Sequence, residues 1–251
     1  MKYKISVITV CFNAADTIAE SLRSVAEQSC PDIEHIVVDG GSTDGTQRLV
    51  EIHGRRVSKF ITGPDQGIYD AMNKGLGLAT GETIAFLNAD DVYADAGVLE
   101  RVCRLMDEHA LDALYGDLET FRSERPGAIV RRYRSDRFSP QRIAWGFMPA
   151  HPALFLRQGV YRKFGLFRTD FRIAGDYEFV ARIFRDDALR YRYVPEVMVR
   201  MRIGGISTGG WRNTLLLNNE VLRACRLNGI KTNLLMILSK YPYKIAEYFR
   251  R

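Results

Sequence analysis

The sequence predicts an α/β fold: a mostly parallel sheet flanked by helices, followed by a helical, basic C-terminal segment. Three observations carry this. Short apolar runs alternate with segments of helical periodicity over the first hundred residues. The runs end in polar, Gly- and Asp-rich clusters, where open α/β sheets gather ligands. The charge is concentrated at one end of the chain.

Lys4–Val10 reads as a first buried strand, followed by a helix over Ala15–Gln28 with Ile18, Leu22 and Val25 on one face. Ile33–Val38 is a second strand. Ser42-Thr43-Asp44 supplies capping groups for a helix from Thr46 to Ile52. Lys59–Thr62, a helix over Gly67–Ala79 and the strand Thr83–Leu87 continue the alternation. Val98, Val102 and Leu105 mark another amphipathic helix. Beyond residue 111 the pattern is less regular. Asp112–Tyr115, Ala128–Tyr133, Ala153–Leu156 and Tyr191–Val199 are strand-like, and Tyr177–Phe184 is helical. Residues 1–210 are expected to form one domain with halves 1–100 and 101–210. The segment 211–251 is expected to be helical except at Asn228-Gly229 and Pro242.

Composition narrows the class. With 251 residues, 46% hydrophobic and 26% charged, the chain has the make-up of a globular protein with a full core. Cys11, Cys30, Cys103 and Cys225 are scattered with no C-x-x-C pair, which argues for reduced thiols and against a disulfide frame or zinc site. No apolar run reaches the length of a spanning helix, and the start of the chain leads straight into a strand, so neither a membrane span nor a secretory signal is expected. The formal net charge is +6. From Trp211 to Arg251 eight Lys/Arg face Glu220 and Glu247, which accounts for all of it. A neutral body with a basic, partly apolar tail points to an anionic surface. No nucleic-acid-binding motif is present, and an anionic membrane is the expected partner; the alternative is that the tail helices pack on the domain or form a dimer contact.

Three clusters carry the chemistry. Asn88-Ala89-Asp90-Asp91 ends the run Thr83–Leu87; read as extended chain, Asn88 and Asp90 point the same way. Such oxygen donors suit Mg²⁺ or Mn²⁺ with a diphosphate. Val38-Asp39-Gly40-Gly41-Ser42-Thr43-Asp44-Gly45-Thr46 has Ser42 where a dinucleotide fingerprint needs its middle glycine, and no Walker A sequence occurs. Asp39, acceptor-only when ionised, can read the N–H of uracil or guanine, or cap a turn. Asp65 and Asp70 border the turn after Gly63-Pro64, where they can cap the next helix or touch a ligand. Asp176 opens an amphipathic helix and is either an N-cap or a proton acceptor.

The ordered set Val38–Thr46, Asp65-Gln66-Gly67-Ile68-Tyr69-Asp70-Ala71-Met72-Asn73-Lys74-Gly75 and Asn88–Asp91 resembles family 2 glycosyltransferases over roughly residues 4–207, closest to bacterial polysaccharide enzymes of the colanic-acid and O-antigen type. The resemblance implies the GT-A fold, a nucleotide-sugar donor and inverting, hexosyl-type transfer assisted by Mn²⁺ or Mg²⁺. It makes residues 1–100 the nucleotide-sugar half and 101–210 the acceptor half. Asp39 matches the acid that contacts the nucleotide base, Asp90 the metal ligand of the D-x-D motif, Asn88 its ribose-side position and Asp176 the catalytic base. The expected donor-binding set is Thr9, Phe12, Asn13, Asp39, Asp65, Asn88, Ala89, Asp90, His151 and Arg202. Asn88 departs from the usual aspartate. Arg200-Met201-Arg202-Ile203-Gly204-Gly205-Ile206-Ser207 resembles the flexible loop that closes over the diphosphate; its usual histidine is missing, so Arg200 or Arg202 is expected to supply the charge.

The expected function is transfer of a sugar, from UDP in preference to GDP, to a hydroxyl of a lipid-linked glycan or oligosaccharide, by a cytoplasmic protein peripheral at the inner membrane face. A sugar-phosphate nucleotidylyltransferase would carry a Gly-rich basic loop after the first strand, and Thr9–Asn13 is neither Gly-rich nor basic. A non-catalytic sugar-binding protein on the same fold is the other alternative.

Overall fold

The computed structural model describes residues 4–122, 125–204 and 210–242. Its sheet has nine strands. β1 (Ile5–Cys11), β2 (Ile33–Asp39), β3 (Val57–Thr62) and β4 (Thr83–Phe86) run parallel in the order β3-β2-β1-β4. Every residue of β1, β2 and β4 is buried, because helices cover both faces of these strands; β3, at the edge, is partly exposed. The helices α1 (Ile18–Ala26), α2 (Thr46–His53), α3 (Ile68–Leu78) and α4 (Val98–Glu108) supply the crossovers. Side-chain alternation divides β1 between two cores: Ile5 and Val7 face one with Val98, Leu99, Val102 and Met106 of α4, while Ile8 and Val10 face the other with Tyr69 and Met72 of α3.

The second half adds antiparallel strands. β8 (Leu154–Arg157) lies antiparallel between β4 and β6 (Ala113–Arg122), and β6 also pairs with β7 (Arg125–Tyr133). β9 (Tyr191–Arg202) runs parallel to β6. The strand absent from the sequence reading is β5, the two residues Val92–Tyr93, which pair with Arg200 and Val199 of β9. That short pairing brings the end of β9 to the Asn88–Asp91 cluster.

Two expectations change. Arg200–Arg202 is strand, continuing β9, and not loop; Gly205–Ser207 lies outside the described residues. In the tail, α7 (Gly210–Leu227) is followed by α8 (Leu234–Leu238), and the second break falls at Ser239, with helical backbone at Pro242. Proline is tolerated there because the first turn of a helix needs no N–H partner. α7 joins the main core: Val221, Ala224 and Cys225 are buried with Tyr177, Phe179 and Val180 of α6 (Gly175–Ile183). Ile237 of α8 is buried in the same core, while Leu235 is 81% exposed. Tyr243, Ile245, Tyr248 and Phe249, which make the end of the tail partly apolar, lie outside the described residues.

Candidate functional site

Parallel pairing of β1, β2 and β4 brings Phe12, the Asp39–Thr46 loop and Asn88 to one edge of the sheet. Asp39 is 1% exposed and saturated. Its Oδ2 accepts from the amides of Gly41 (3.2 Å) and Ser42 (3.0 Å), from Gln47 Nε2 (3.0 Å) and from Thr62 Oγ1 (2.7 Å); the Ser42 hydroxyl donates to Oδ1. Burial alone would raise its pKa, but the hydrogen bonds from Ser42, Thr62 and Gln47 outweigh burial and hold it below the usual value. Both oxygens of Asp39 thus close its own loop, and the base contact expected of it would be made in exchange for one of these bonds. Thr9 is fully buried, with its hydroxyl 3.1 Å from His35 Nε2, so that only its backbone faces the sheet edge.

Asn13 adopts a left-handed φ of 49°, which asparagine tolerates. Its amide donates to Ser42 Oγ at 2.8 Å and its Oδ1 accepts from the Thr43 amide at 3.0 Å, so it ties the first loop to the second. Phe12 remains 64% exposed, an aromatic face left open beside these loops. Asp65 sits opposite. Its Oδ1 accepts from the Gly67 amide at 2.9 Å, while its Oδ2 lies where a side chain at Gly40 would go: a Cβ there would come within 2.5 Å of Oδ2 and 3.4 Å of the Phe12 ring. The bare backbone at Gly40 thus makes room for the Asp65 carboxylate against Phe12.

Asn88–Asp91 is a turn, closed by the Asp91 amide donating to Asn88 O at 3.1 Å, not the extended chain from which convergence was argued. Ala89 is buried beneath it, and Asp90 is partly exposed. Among the described residues the buried oxygens Asn88 Oδ1 and Asp91 Oδ1 find no hydrogen-bond partner. Burial raises the Asp90 pKa against the pull of Arg202. Asp91 is raised well above the usual range by burial and by the Asp90 charge, with the Arg202 amide opposing. Arg202 itself donates from Nη2 to Glu20 Oε2 at 2.5 Å and lies over the Phe121 ring at 4.9 Å. Among the described residues no three His, Cys, Asp or Glu side chains gather to hold a metal by themselves.

Asp176 stands in the first turn of α6, partly exposed. Its Oδ1 accepts from Tyr69 Oη at 3.1 Å and from the Tyr177 amide at 2.8 Å. Tyr69 Oη also lies 2.6 Å from Ile173 O, so one hydroxyl bridges the carboxylate and the segment before the helix. The Tyr69 ring packs where a Cβ at Gly175 would come within 2.7 Å of it, and only glycine leaves that space. His151 is close enough for the Asp176 charge to act on it; burial lowers its pKa and Asp176 partly restores it. The His151 ring stacks on Phe86, at the end of β4, at 5.7 Å.

The fold therefore gathers Phe12, Asp65, Asn88, Asp90, Arg202, His151 and Asp176 around one sheet edge, while Thr9, Asp39 and Asn13 build the scaffold beneath. Sequence reading missed the roles of Tyr69, Gly175, Asp91 and Glu20. Tyr69 and Asp91 stood inside the quoted motifs; Glu20 and Gly175 carried no local signal.

Comparison with known proteins agrees with this geometry. Residues 6–191 match the family described as Glycosyl transferase family 2. A PGL/p-HBAD biosynthesis glycosyltransferase of Mycobacterium bovis (strain BCG) is 31% identical over 96% of this chain and 92% of its own length. Among solved structures, TarS of S. aureus (residues 1–349, in complex with UDP-GlcNAc) aligns with a TM-score of 0.72 at 21% identity, over 90% of this chain and 65% of that one. The mannosyltransferase PcManGT of Pyrobaculum calidifontis, in complex with GDP-Man and Mn²⁺, aligns with a TM-score of 0.62 at 20% identity, over 89% of this chain and 65% of that one. Full-length TarS is longer still, and the chain spans 40% of it. Family match, curated relatives and a shared GT-A architecture agree: the chain belongs to glycosyl transferase family 2 and is a glycosyltransferase.

Proposed function

We propose that the protein is an inverting hexosyltransferase that moves a sugar from a nucleoside diphosphate donor, preferably a UDP-sugar, to a hydroxyl of a lipid-linked glycan. The observation that carries this reading is Asp176, held at Oδ1 by Tyr69 and the Tyr177 amide and acting on His151, whose ring stacks on Phe86 at the end of the strand that leads to Asp90. With Oδ1 occupied, Oδ2 of Asp176 takes the proton of the acceptor hydroxyl as the new bond forms. Single displacement with one base inverts the anomeric centre. The Phe12 ring offers a stacking face for the base, and Asp65 Oδ2 an acceptor for its ring N–H. Arg202 brings positive charge toward the diphosphate side of the turn.

The turn fits a divalent cation. Hard oxygen donors suit Mg²⁺ or Mn²⁺, which commonly bind through one or two carboxylates plus substrate phosphates. Asp90 would hold the ion, with the unpartnered oxygens of Asn88 and Asp91 beside it. When bound, it supplies charge against the leaving diphosphate. The UDP-GlcNAc bound to TarS and the GDP-Man and Mn²⁺ bound to PcManGT support this reading.

Contact with the inner face of an anionic membrane completes the proposal. No helix among the described residues is long and apolar enough to cross a membrane. Leu234, Leu235 and Leu238 of α8 are 47%, 81% and 38% exposed beside the exposed Lys231, a pattern suited to interfacial binding. Leu235→Glu with Leu238→Glu should release the protein from anionic liposomes without loss of donor hydrolysis; unchanged sedimentation removes the membrane assignment. The test of the reaction is incubation with UDP- and GDP-sugars and a glycolipid acceptor, with proton NMR of the product. An inverted anomeric signal is expected. Retention, or release of nucleoside monophosphate in place of diphosphate, contradicts it.

A further inference from the structure

The helix carrying Asp176 begins without a cap of its own. Its N-cap is Ala174, whose methyl accepts nothing, but the three amides that lead into it, Arg172 to Ala174, are all held. The acceptor comes from α7, 46 residues further along: Glu220 Oε2 accepts from the amides of Ile173 (2.9 Å) and Ala174 (2.8 Å), and Oε1 from that of Arg172 (2.8 Å). Glu220 is 8% exposed, so these charge-assisted bonds form away from bulk water. One turn on, on the same face of α7, Arg223 grips the preceding stretch. Its Nη1 donates to Asp170 O at 2.9 Å, its Nη2 pairs with the Asp170 carboxylate, and its guanidinium lies 4.5 Å from the Phe171 ring centre. α7 thus holds five consecutive residues, 170–174, from outside. Asp170, Phe171 and Arg172, with Glu220 itself, border a cleft of about 210 Å³.

The held segment feeds directly into the reacting group. Tyr69 Oη shares its one proton between Ile173 O at 2.6 Å and Asp176 Oδ1 at 3.1 Å, so the position of the carbonyl sets where the hydroxyl stands against the carboxylate. We propose that Glu220 is a positioning residue for Asp176: it fixes Arg172–Ala174, which fixes Tyr69 Oη, which fixes the carboxylate. This rests on the reading of Asp176 as the base. It makes the basic C-terminal helix part of the catalytic apparatus, whatever the residues beyond it bind.

The test compares Glu220→Gln, Tyr69→Phe, their double mutant and Asp176→Asn in the full chain, measuring kcat, donor KM and melting temperature. Glu220→Gln keeps the shape of the side chain but replaces one acceptor oxygen with a donor. A misplacement of the order of an ångström costs about 10²-fold in rate. The expected result is a kcat loss of that order with unchanged donor KM, and little further loss when Tyr69→Phe is added, because both act through one chain of contacts. Wild-type kcat in Glu220→Gln with an inactive Asp176→Asn overturns the positioning role and leaves the base. Full activity in Asp176→Asn overturns the base, and the proposal with it. Parallel loss of kcat, donor affinity and melting temperature in Glu220→Gln makes the residue merely structural. If Glu220→Gln does not fold, Tyr69→Phe carries the test, and full kcat there overturns the proposal.

Discussion

Asp39 and Asp176 belong to the same functional edge yet are held in opposite ways. Asp39 is buried, and its partners Gly41, Ser42 and Gln47 lie within eight residues of it. Asp176 is partly open, and its side-chain partner Tyr69 lies 107 residues away, with the segment before it pinned from α7. The first arrangement is mostly local, a loop closed on its own strand and tied by Thr62 to the neighbouring strand β3. The second exists only when three distant parts of the chain have docked. Burial makes a carboxylate a scaffold; partial exposure with one oxygen engaged leaves the other available for chemistry.

If that contrast is right, the largest effect on turnover comes from Asp176. Asp176→Asn should lose about 10²–10⁴-fold in kcat, the range for removing a general base. UMP binding measured by calorimetry should stay unchanged, and an equal loss of both would move Asp176 to the donor site. Asp39→Ala should act on stability instead. Each buried donor left unpaired costs about 1–3 kcal/mol, and several are left, so a large fall in melting temperature is expected. Asp65→Ala should do the reverse: a near-native melting temperature with UMP affinity about 10- to 150-fold weaker, from loss of a charged hydrogen bond worth roughly 1.5–3 kcal/mol. If Asp39→Ala melts normally and loses UMP, the two roles are exchanged.

A smaller, pH-dependent effect sharpens the scaffold side. His35 is buried behind Thr9, and burial, helped by the Arg56 charge, holds its pKa at about 3. An unfolded imidazole protonates near 6.5. Between these values the unfolded chain binds the extra proton, so stability is full above pH ~6.5 and falls as pH drops toward 3. His35→Leu should flatten the melting temperature over that window; an unchanged slope would mean that other groups carry it.

The legible part of the molecule follows the same division. Strand ends and glycine-rich turns of the first half are written in short stretches: Val38–Thr46 encodes its own loop because Asp39, Ser42 and Asp44 bond within a few residues. The second half depends on contacts that no local pattern announces. A two-residue strand, Val92–Tyr93, is too short to show a period, yet it sets Arg202 beside Asp91. Glu220 reads as one acid among basic neighbours, and only folding turns it toward Ala174. The Asn88–Asp91 turn was visible as a cluster but not in its backbone, since asparagine and aspartate serve strand ends and turns equally well.

The central claim, a nucleotide-sugar donor bound with a cation at the Asp90 turn, is tested most directly by melting the protein with a panel of nucleoside diphosphate sugars, in Mn²⁺ and in EDTA. A ligand at about 100 times its Kd adds about 2.7 kcal/mol, which for a chain of this size raises the melting temperature by roughly 5–10 °C. One donor should do so in Mn²⁺ and lose most of the gain in EDTA and in Asp90→Ala. No rise with any nucleotide sugar, or an equal rise in EDTA and in Asp90→Ala, would contradict it.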